Sequence, residues 1–553
     1  MRRHRAPLGL AALVLVLGLP ALARYGVTWD EALGDFFFGE RYLSFFLSFD
    51  RRYLDFAADP YPAGRVPDLS VSPFRDRPWE YYPVANALAA ASSRLLSGRL
   101  GWLDPFDGFH AVNLFLGAIL AAALYVFVRR RFDATAALAS CVLLFTAPRI
   151  VAHLCSNVKD PPEMALFALT IFAFAAAYER GSTLGLAGAG VLWGLALGTK
   201  ANALFLPAVV LVAIAVGRRP ERWRGRTATL VAALSAGAAA GLLTVLALWP
   251  YLWGAPLERA REHLEYIGLR LFATRPESIQ PPLEAIAFTT PLPFLALAAA
   301  GAGIALRELR GRDPRFVLPL AWITVVLVRL HLPGAVNFDG VRHFLELFPP
   351  LAILGGVAAS RLAGVVRGVA ATTEPETTDR RRLRRAAAAA VLALLLAPAM
   401  VAVLRVHPFE LAYWNALAGG LDGARAKRLA QAGDYWATSY RAGLEWLNAH
   451  APEDAALAVP IAQHAVRLVA PLRLRSDIGL LDLARPELPE LRPGTLQILE
   501  QVASERPVYV MFVLRDDWTN ELVEDCRARL DPLVRWTVDG APILLVYRWT
   551  PPA

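Results

Sequence analysis

Four short clusters in this 553-residue chain carry residue types that could do chemistry together. The first is Thr28-Trp29-Asp30-Glu31, a carboxylate pair directly after an apolar stretch. Carboxylates at a membrane edge are unfavourable unless solvated, paired or bound to a cation, which makes such a pair a functional candidate. Thr28 or Asp30 would equally serve as the N-cap of a following helix, and a cap also fixes where a carboxylate points. The second cluster is Ser156-Asn157-Val158-Lys159-Asp160-Pro161-Pro162. Proline in a first turn puts Asp160 at the start of a helix, although a Lys–Asp neighbour pair can also snorkel to an interface. The third is Gly198-Thr199-Lys200, and the fourth is Asp339-Gly340-Val341-Arg342-His343-Phe344, in which His343 by itself reads as a structural histidine. Lysine binds phosphate as a point charge and arginine binds it bidentately. Lys159, Lys200 and Lys427 are the only lysines in the chain, so two of the three fall in these clusters. Together the clusters suit a phosphate-bearing substrate beside a carboxylate base, with a bound divalent cation as an open alternative.

The elements that position them are membrane helices. Hydrophobic residues make up 56% of the chain and charged residues 19%, against about 25% charged in soluble domains. Mean hydropathy is +0.40. Such a chain is not disordered, and three cysteines cannot form a disulfide scaffold. A span needs about 20 apolar residues, and about eleven segments qualify: 7–23, 109–128, 134–151, 162–178, 183–199, 201–217, 227–249, 284–306, 315–332, 344–365 and 386–406. Arginine clusters such as Arg129–Arg131, Arg218/Arg219, Arg307/Arg310 and Arg384/Arg385 fall between alternate spans. By the positive-inside rule the N-terminus is cytoplasmic, and the four chemical clusters share the outer face with the C-terminus. The net charge of +9 thus reflects topology, which removes nucleic acid as a partner. The first segment could be a signal peptide ending at Ala21-Leu22-Ala23, but a retained helix is favoured because ten further spans need no separate export signal.

Two domains follow: a membrane domain over 1–406, including an outer loop at 24–108, and an outer domain over 407–553. In the loop, Ala32–Phe49 and Val84–Leu96 read as amphipathic helices lying on the membrane surface. In the outer domain Ala437–Leu447 reads as a helix, and Pro507–Leu514 and Pro542–Tyr547 as strands, which predicts a small α/β fold. No Walker loop, GxGxxG, GxSxG, CxxC or HExxH occurs, so nucleotide, serine-hydrolase and zinc-motif chemistries lack a sequence signal.

The chain resembles the GT-C superfamily of polytopic glycosyltransferases. It looks most like the phospholipid-carrier-dependent branch, which holds protein O-mannosyltransferases and the aminoarabinose transferase acting on lipid A. The resemblance rests on Trp29-Asp30-Glu31, Tyr81-Tyr82-Pro83, Asn157–Pro161, Gly194–Lys200 and Asp339–Phe344. His407–Gly420, Asp434-Tyr435-Trp436 and Trp446-Leu447-Asn448 are similar to uncharacterised bacterial members. Val84 stands where relatives commonly carry a second proline. The resemblance implies a multi-pass protein of the bacterial inner membrane that moves a sugar, with inversion, from a polyprenyl-phosphate donor to an acceptor hydroxyl on a protein, lipid or glycan. Asp30 would be the general base and Glu31 would orient the acceptor or support Asp30. Lys159, Lys200, Arg342 and His343 would meet the donor phosphate. Asp30, Asp160 and Glu80 could hold a divalent metal, and no nucleotide cofactor is expected because the donor arrives from the lipid phase. The alternative is a transporter or flippase of a lipid-linked anion. Transporters place charges near the bilayer midplane, often in inverted repeats, whereas the charges here cluster at outer helix ends.

Overall fold

The computed structural model describes residues 5–62, 67–272, 280–311, 313–332, 335, 337–369, 378–484, 490–515 and 518–552. The first part is helical throughout. It runs α1 (Arg5–Leu22), α2 (Phe36–Ser48), α3 (Pro83–Ser93), α4 (Pro105–Arg131), α5 (Ala134–Phe145), α6 (Pro148–Ser156), α7 (Asp160–Arg180) and α8 (Thr183–Leu197). It continues through α9 (Leu206–Val216), α10 (Thr227–Leu248), α11 (Pro256–Phe272), α12 (Pro282–Thr289), α13 (Leu292–Glu308), α14 (Pro314–Leu330), α15 (Phe348–Val369) and α16 (Thr378–Val406).

Among the described residues seven helices are long and apolar enough to cross a membrane: α1, α4, α7, α10 and α16, with α13 and α15 extended into their flanking turns. The segment expected to span at 134–151 is instead a bent pair, α5 and α6, that turns by 65°. Pro148 opens α6 and cannot donate a hydrogen bond back to α5. The expected spans at 183–199 and 201–217 are shorter helices, because α8 ends at Gly198 and the chain restarts as a 3₁₀ turn, Ala201–Phe205.

Close helix contacts rest on glycine. A Cβ on Gly190 of α8 would stand 1.9 Å from the Gly237 carbonyl oxygen of α10, and one on Gly194 would stand 2.4 Å from that of Gly241. Such small-residue seams let backbones approach where lipid supplies no hydrophobic drive between helices.

The loop helices differ from expectation. α2 follows a π-helical turn, Glu31–Asp35, and is buried around most of its circumference, including Glu40 and Arg41. The Arg41 guanidinium donates to the carbonyls of Tyr53 and Ala58 at 2.9 Å each, and to that of Asp55. α2 therefore packs largely as core, its Phe38 stacked on Tyr81 at 4.6 Å, while α3 buries one face and leaves Leu88 exposed. Aromatic rings of α2 fill this interior, Phe38 meeting both Phe56 and Tyr81.

The outer domain holds a five-stranded sheet in the order β2-β1-β3-β5-β4. Its strands are β1 (Ala456–Ala458), β2 (Gly479–Leu480), β3 (Val508–Val513), β4 (Val534–Val538) and β5 (Ala541–Trp549). β1 pairs in parallel with β2 and β3, while β5 runs antiparallel to β3 and β4. The Asp539-Gly540 turn joining β4 and β5 has positive φ at both residues, as a tight hairpin requires. β3 and β5 occupy the two segments expected as strands, and the expected helix lies at Tyr440–His450. One apolar core runs without a break from α1 through the loop helices to β5.

Candidate active site

The site is built where the first outer loop, the start of α7 and the turn before α15 meet. Thr28 and Glu31 cap each other: the Thr28 N–H donates to Glu31 Oε2 at 2.9 Å, and the Glu31 N–H donates to Thr28 Oγ1 at 3.4 Å. This is a capping box. The same Glu31 carboxylate accepts from the Val158 N–H at 3.2 Å and lies 3.0 Å from His110 Nε2. Every direction of this buried carboxylate is thus engaged inside the protein, and it ties the loop to α4 and to the approach to α7.

Asp30 points elsewhere. Its side chain is 25% exposed, whereas Asp35, Asp160 and Asp339 are buried. The backbone just before it is fixed from the outer domain. The Trp29 N–H donates to the Trp436 carbonyl at 3.1 Å, and the Trp29 carbonyl lies 3.0 Å from His464 Nε2. A carbonyl can only accept, so Nε2 carries the proton. Burial pushes the His464 pKa down to about 4, which keeps the ring neutral.

Two cations pair with Asp30, and a third, Lys200, adjoins them through the Arg342 backbone. Arg342 gives Nη1 to Asp30 Oδ2 at 2.9 Å, and Nε and Nη2 to Asp339 Oδ2 at 3.1 and 2.7 Å. Its guanidinium lies 4.6 Å from the Trp436 ring centroid. Lys159 Nζ stands 3.2 Å from Asp35 Oδ2 and 3.6 Å from Asp30 Oδ2. Burial works against its charge, but Asp35 and Asp30 outweigh burial and raise its pKa, so it is a firm ammonium. Lys200 Nζ donates to Asp160 Oδ1 at 2.6 Å and to the Arg342 carbonyl at 3.4 Å. Asn157 sets this corner: Oδ1 accepts from the Lys159 and Asp160 N–H groups at 3.0 and 3.1 Å, and Nδ2 donates to Asp160 Oδ2 at 2.6 Å.

The turn that presents Arg342 needs an unusual backbone. Asp339 and Gly340 have φ of 58° and 67°. Short polar Asp tolerates that region and Gly adopts it freely. A Cβ at Gly340 would stand 2.4 Å from Arg149 Nη1. The outer domain closes over the turn. Trp436 Nε1 and Gln431 Nε2 donate to Asp339 at 3.2 and 3.1 Å, and Arg515 Nη2 reaches it at 3.5 Å.

The structure therefore brings Asp30, Lys159, Lys200, Asp160 and Arg342 into one cluster, with Glu31 as its buried strut. His343 is less directly involved. Its carbonyl accepts from Asn202 Nδ2 and Arg329 Nη2 at 2.7 and 3.0 Å, its ring packs against Phe338, and its Nε2 has no hydrogen-bond partner among the described residues. Glu80 pairs with Arg77 at 3.6 Å. The metal trio does not fit: among the described residues no three His, Cys, Asp or Glu side chains are placed to share an ion. Asp30 and Asp160 instead face cationic side chains. Sequence reasoning missed Asp35, Asp339 and His110 as members of this network, and Arg515 entirely. Asp339 stood in a quoted motif, and the others carried no local signal, since their partners lie far away in sequence.

The chain shares its fold with solved proteins at low sequence identity. It is similar over 97% of its length to 96% of ArnT from Cupriavidus metallidurans bound to undecaprenyl phosphate, at 14% identity and a TM-score of 0.50. The apo state of that protein gives 15% identity over the same coverage and a TM-score of 0.48. The oligosaccharyltransferase AglB from Archaeoglobus fulgidus, in complex with an inhibitory peptide and a dolichol-phosphate, gives 12% identity over 92% of this chain and 69% of that one, with a TM-score of 0.47. More particularly, residues 83–249 match the family model described as dolichyl-phosphate-mannose-protein mannosyltransferase. That match takes in Lys159, Asp160 and Lys200, but neither Asp30 nor Arg342. No curated protein matches the chain.

Proposed function

We propose that this protein transfers a sugar from a polyprenyl-phosphate donor to an acceptor hydroxyl, with inversion, on the outer face of a bacterial inner membrane. The observation that carries this is the half-open position of Asp30 between Lys159 and Arg342. The similar ArnT structure is bound to undecaprenyl phosphate, which supports a lipid-phosphate carrier.

In this reading Asp30 Oδ2 is shared by two cations in the resting protein, at 2.9 Å from Arg342 and 3.6 Å from Lys159. A donor phosphate drawing on both cations releases that oxygen to act as base. The acceptor O–H then gives its proton to Asp30, and the acceptor oxygen bonds to the anomeric carbon. The bond from that carbon to the phosphate oxygen breaks, and the electron pair leaves with the polyprenyl phosphate. Lys159, Arg342 and Lys200 stabilise the charge that develops there, from positions already fixed by Asp35, Asp339 and Asp160. Glu31 keeps the Asp30 loop against α7 rather than meeting substrate.

A positioned base is worth about 10²–10⁴-fold in rate. Asp30→Asn keeps the shape and a hydrogen-bond acceptor for Arg342. It is therefore expected to lose about 10²–10⁴-fold in donor turnover while the melting temperature holds. The measurement is release of polyprenyl phosphate by purified protein in nanodiscs, supplied with a panel of polyprenyl-phosphate sugars and candidate acceptors. Turnover within tenfold of wild type would remove Asp30 from the role of base.

A further inference from the structure

Beside the site lies a groove that the chemistry above does not use. It has a volume of about 890 Å³ and runs between residues 51–56, 76–79 and the 250–262 segment leading into α11. Four half-buried aromatic rings, Phe56, Trp79, Tyr251 and Trp253, line it together with four carboxylates and two arginines. The rings are held in place. Trp253 Nε1 donates to the Leu246 carbonyl at the end of α10 at 2.6 Å, and the Tyr251 hydroxyl donates to Glu262 Oε2 at 2.9 Å. One of the two arginines, Arg259, donates to the carbonyls of Tyr251 and Trp253, so its cation is directed at the groove's own backbone.

The groove borders the reaction site. Two residues beyond Trp79, the Tyr81 ring lies 5.7 Å from Lys159 Nζ. Two extended residues cover at most about 7 Å. Tyr82 donates to or accepts from His263 of α11 at 2.7 Å, which fixes α11 against the same strand of loop.

Half-open aromatic faces next to hydrogen-bond acceptors match a sugar ring, whose C–H face lies on an aromatic ring while its hydroxyls donate to carboxylates. Pockets of this kind fix orientation with a few polar groups on an aromatic floor. Four carboxylates against two arginines repel a phosphorylated or sulfated ligand. The aromatic rings alone would suit a membrane interface, but that acidic excess disfavours an anionic headgroup surface. We infer that this groove binds a non-anionic sugar, neutral or amine-bearing, as the acceptor. Only the word acceptor rests on the function proposed above; the binding does not.

The test is saturation-transfer NMR on the full chain in zwitterionic nanodiscs, without sugar-based detergent. The probes are an N-acetylglucosamine tetramer, the glucosamine tetramer and a 6-O-sulfated tetramer. The two unsulfated tetramers are expected to receive saturation, at least tenfold above the sulfated one. Trp79→Ala should cut this at least fivefold, as should the shape-preserving Glu258→Gln/Glu262→Gln. The inference is overturned by no transfer to either unsulfated tetramer, by equal transfer in both groove variants, or by preference for the sulfated probe. No turnover is needed, so failure here is distinct from failure of the proposed reaction.

Discussion

Replacing Asp35 by asparagine should remove a pH dependence of donor binding centred near neutrality. Asp35 is fully buried, 3.2 Å from Lys159 Nζ, and accepts from Asn86 Nδ2 at 3.3 Å. Burial pushes its pKa up, Lys159 partly draws it back, and Glu31 and Asp30 push it up again, to about 7. Against an ordinary value of 3.8, ionising it in place costs roughly 4 kcal/mol. Below pH about 7 the carboxyl is neutral and Lys159 loses one competitor for the donor phosphate; above it, the carboxylate reclaims the ammonium. The gross attraction at this distance is about 5 kcal/mol at an effective dielectric constant of about 20. Asp30 and solvent share the same ammonium, so a net change of about tenfold, or about 1.4 kcal/mol, is expected. Donor affinity should therefore fall as pH rises through about 7. The assay is calorimetric titration of a non-transferable donor analogue into nanodisc-embedded protein at constant ionic strength. The donor is a phosphodiester, so the ligand does not titrate in this range. Asp35→Asn should bind equally at all these pH values, at the wild-type low-pH affinity. Stability follows the same proton. Between about pH 4 and 7 the folded chain holds a proton that the unfolded chain has released, so stability falls as pH rises through that window and then levels off. A flat wild-type binding curve across pH about 7, or an unchanged inflection in the variant, would refute this reasoning.

Three further outcomes can be checked. Lys200→Met leaves buried Asp160 without its 2.6 Å partner and should cost about 3–5 kcal/mol in stability; thermal denaturation should show a clear loss that Lys200→Arg largely restores. Gly190→Leu drives a side chain into the Gly237 carbonyl, where even a Cβ has 1.9 Å; it should cost at least about 1–3 kcal/mol and lower the melting temperature, while Gly188→Leu, with nothing within 4 Å of its Cβ, should not. EDTA should leave donor turnover within about twofold, because Asp30 and Asp160 are held by cationic side chains; a loss restored by added magnesium or manganese would contradict that assignment.

The first-loop carboxylates, the lysine–aspartate pair before α7 and the Arg342 turn were legible because each is a local signal. Each is a charged group at the edge of an apolar run, or a proline or glycine marking a helix end. The same locality explains the misreadings. Hydropathy along the chain registers apolar length but not a bend, so α5 and α6 read as one span although Pro148 divides them by 65°. Aromatic richness in α2 reads the same whether it faces lipid or fills an interior.

Composition and pattern by themselves determined a polytopic membrane protein with its charged chemistry gathered at helix ends, because spans and charge placement are properties of consecutive residues. Only the tertiary structure decided what each charge does. Glu31 sits next to Asp30 in sequence, yet it is turned inward onto Val158 and His110, while Asp30 is left half-open to Lys159 and Arg342. Arg515 enters from the outer domain, onto Asp339. The difference is physical: whether a carboxylate is tied down inside the protein or stays available as a base depends on donors brought from 79 to 312 residues away, and no local pattern carries that distance.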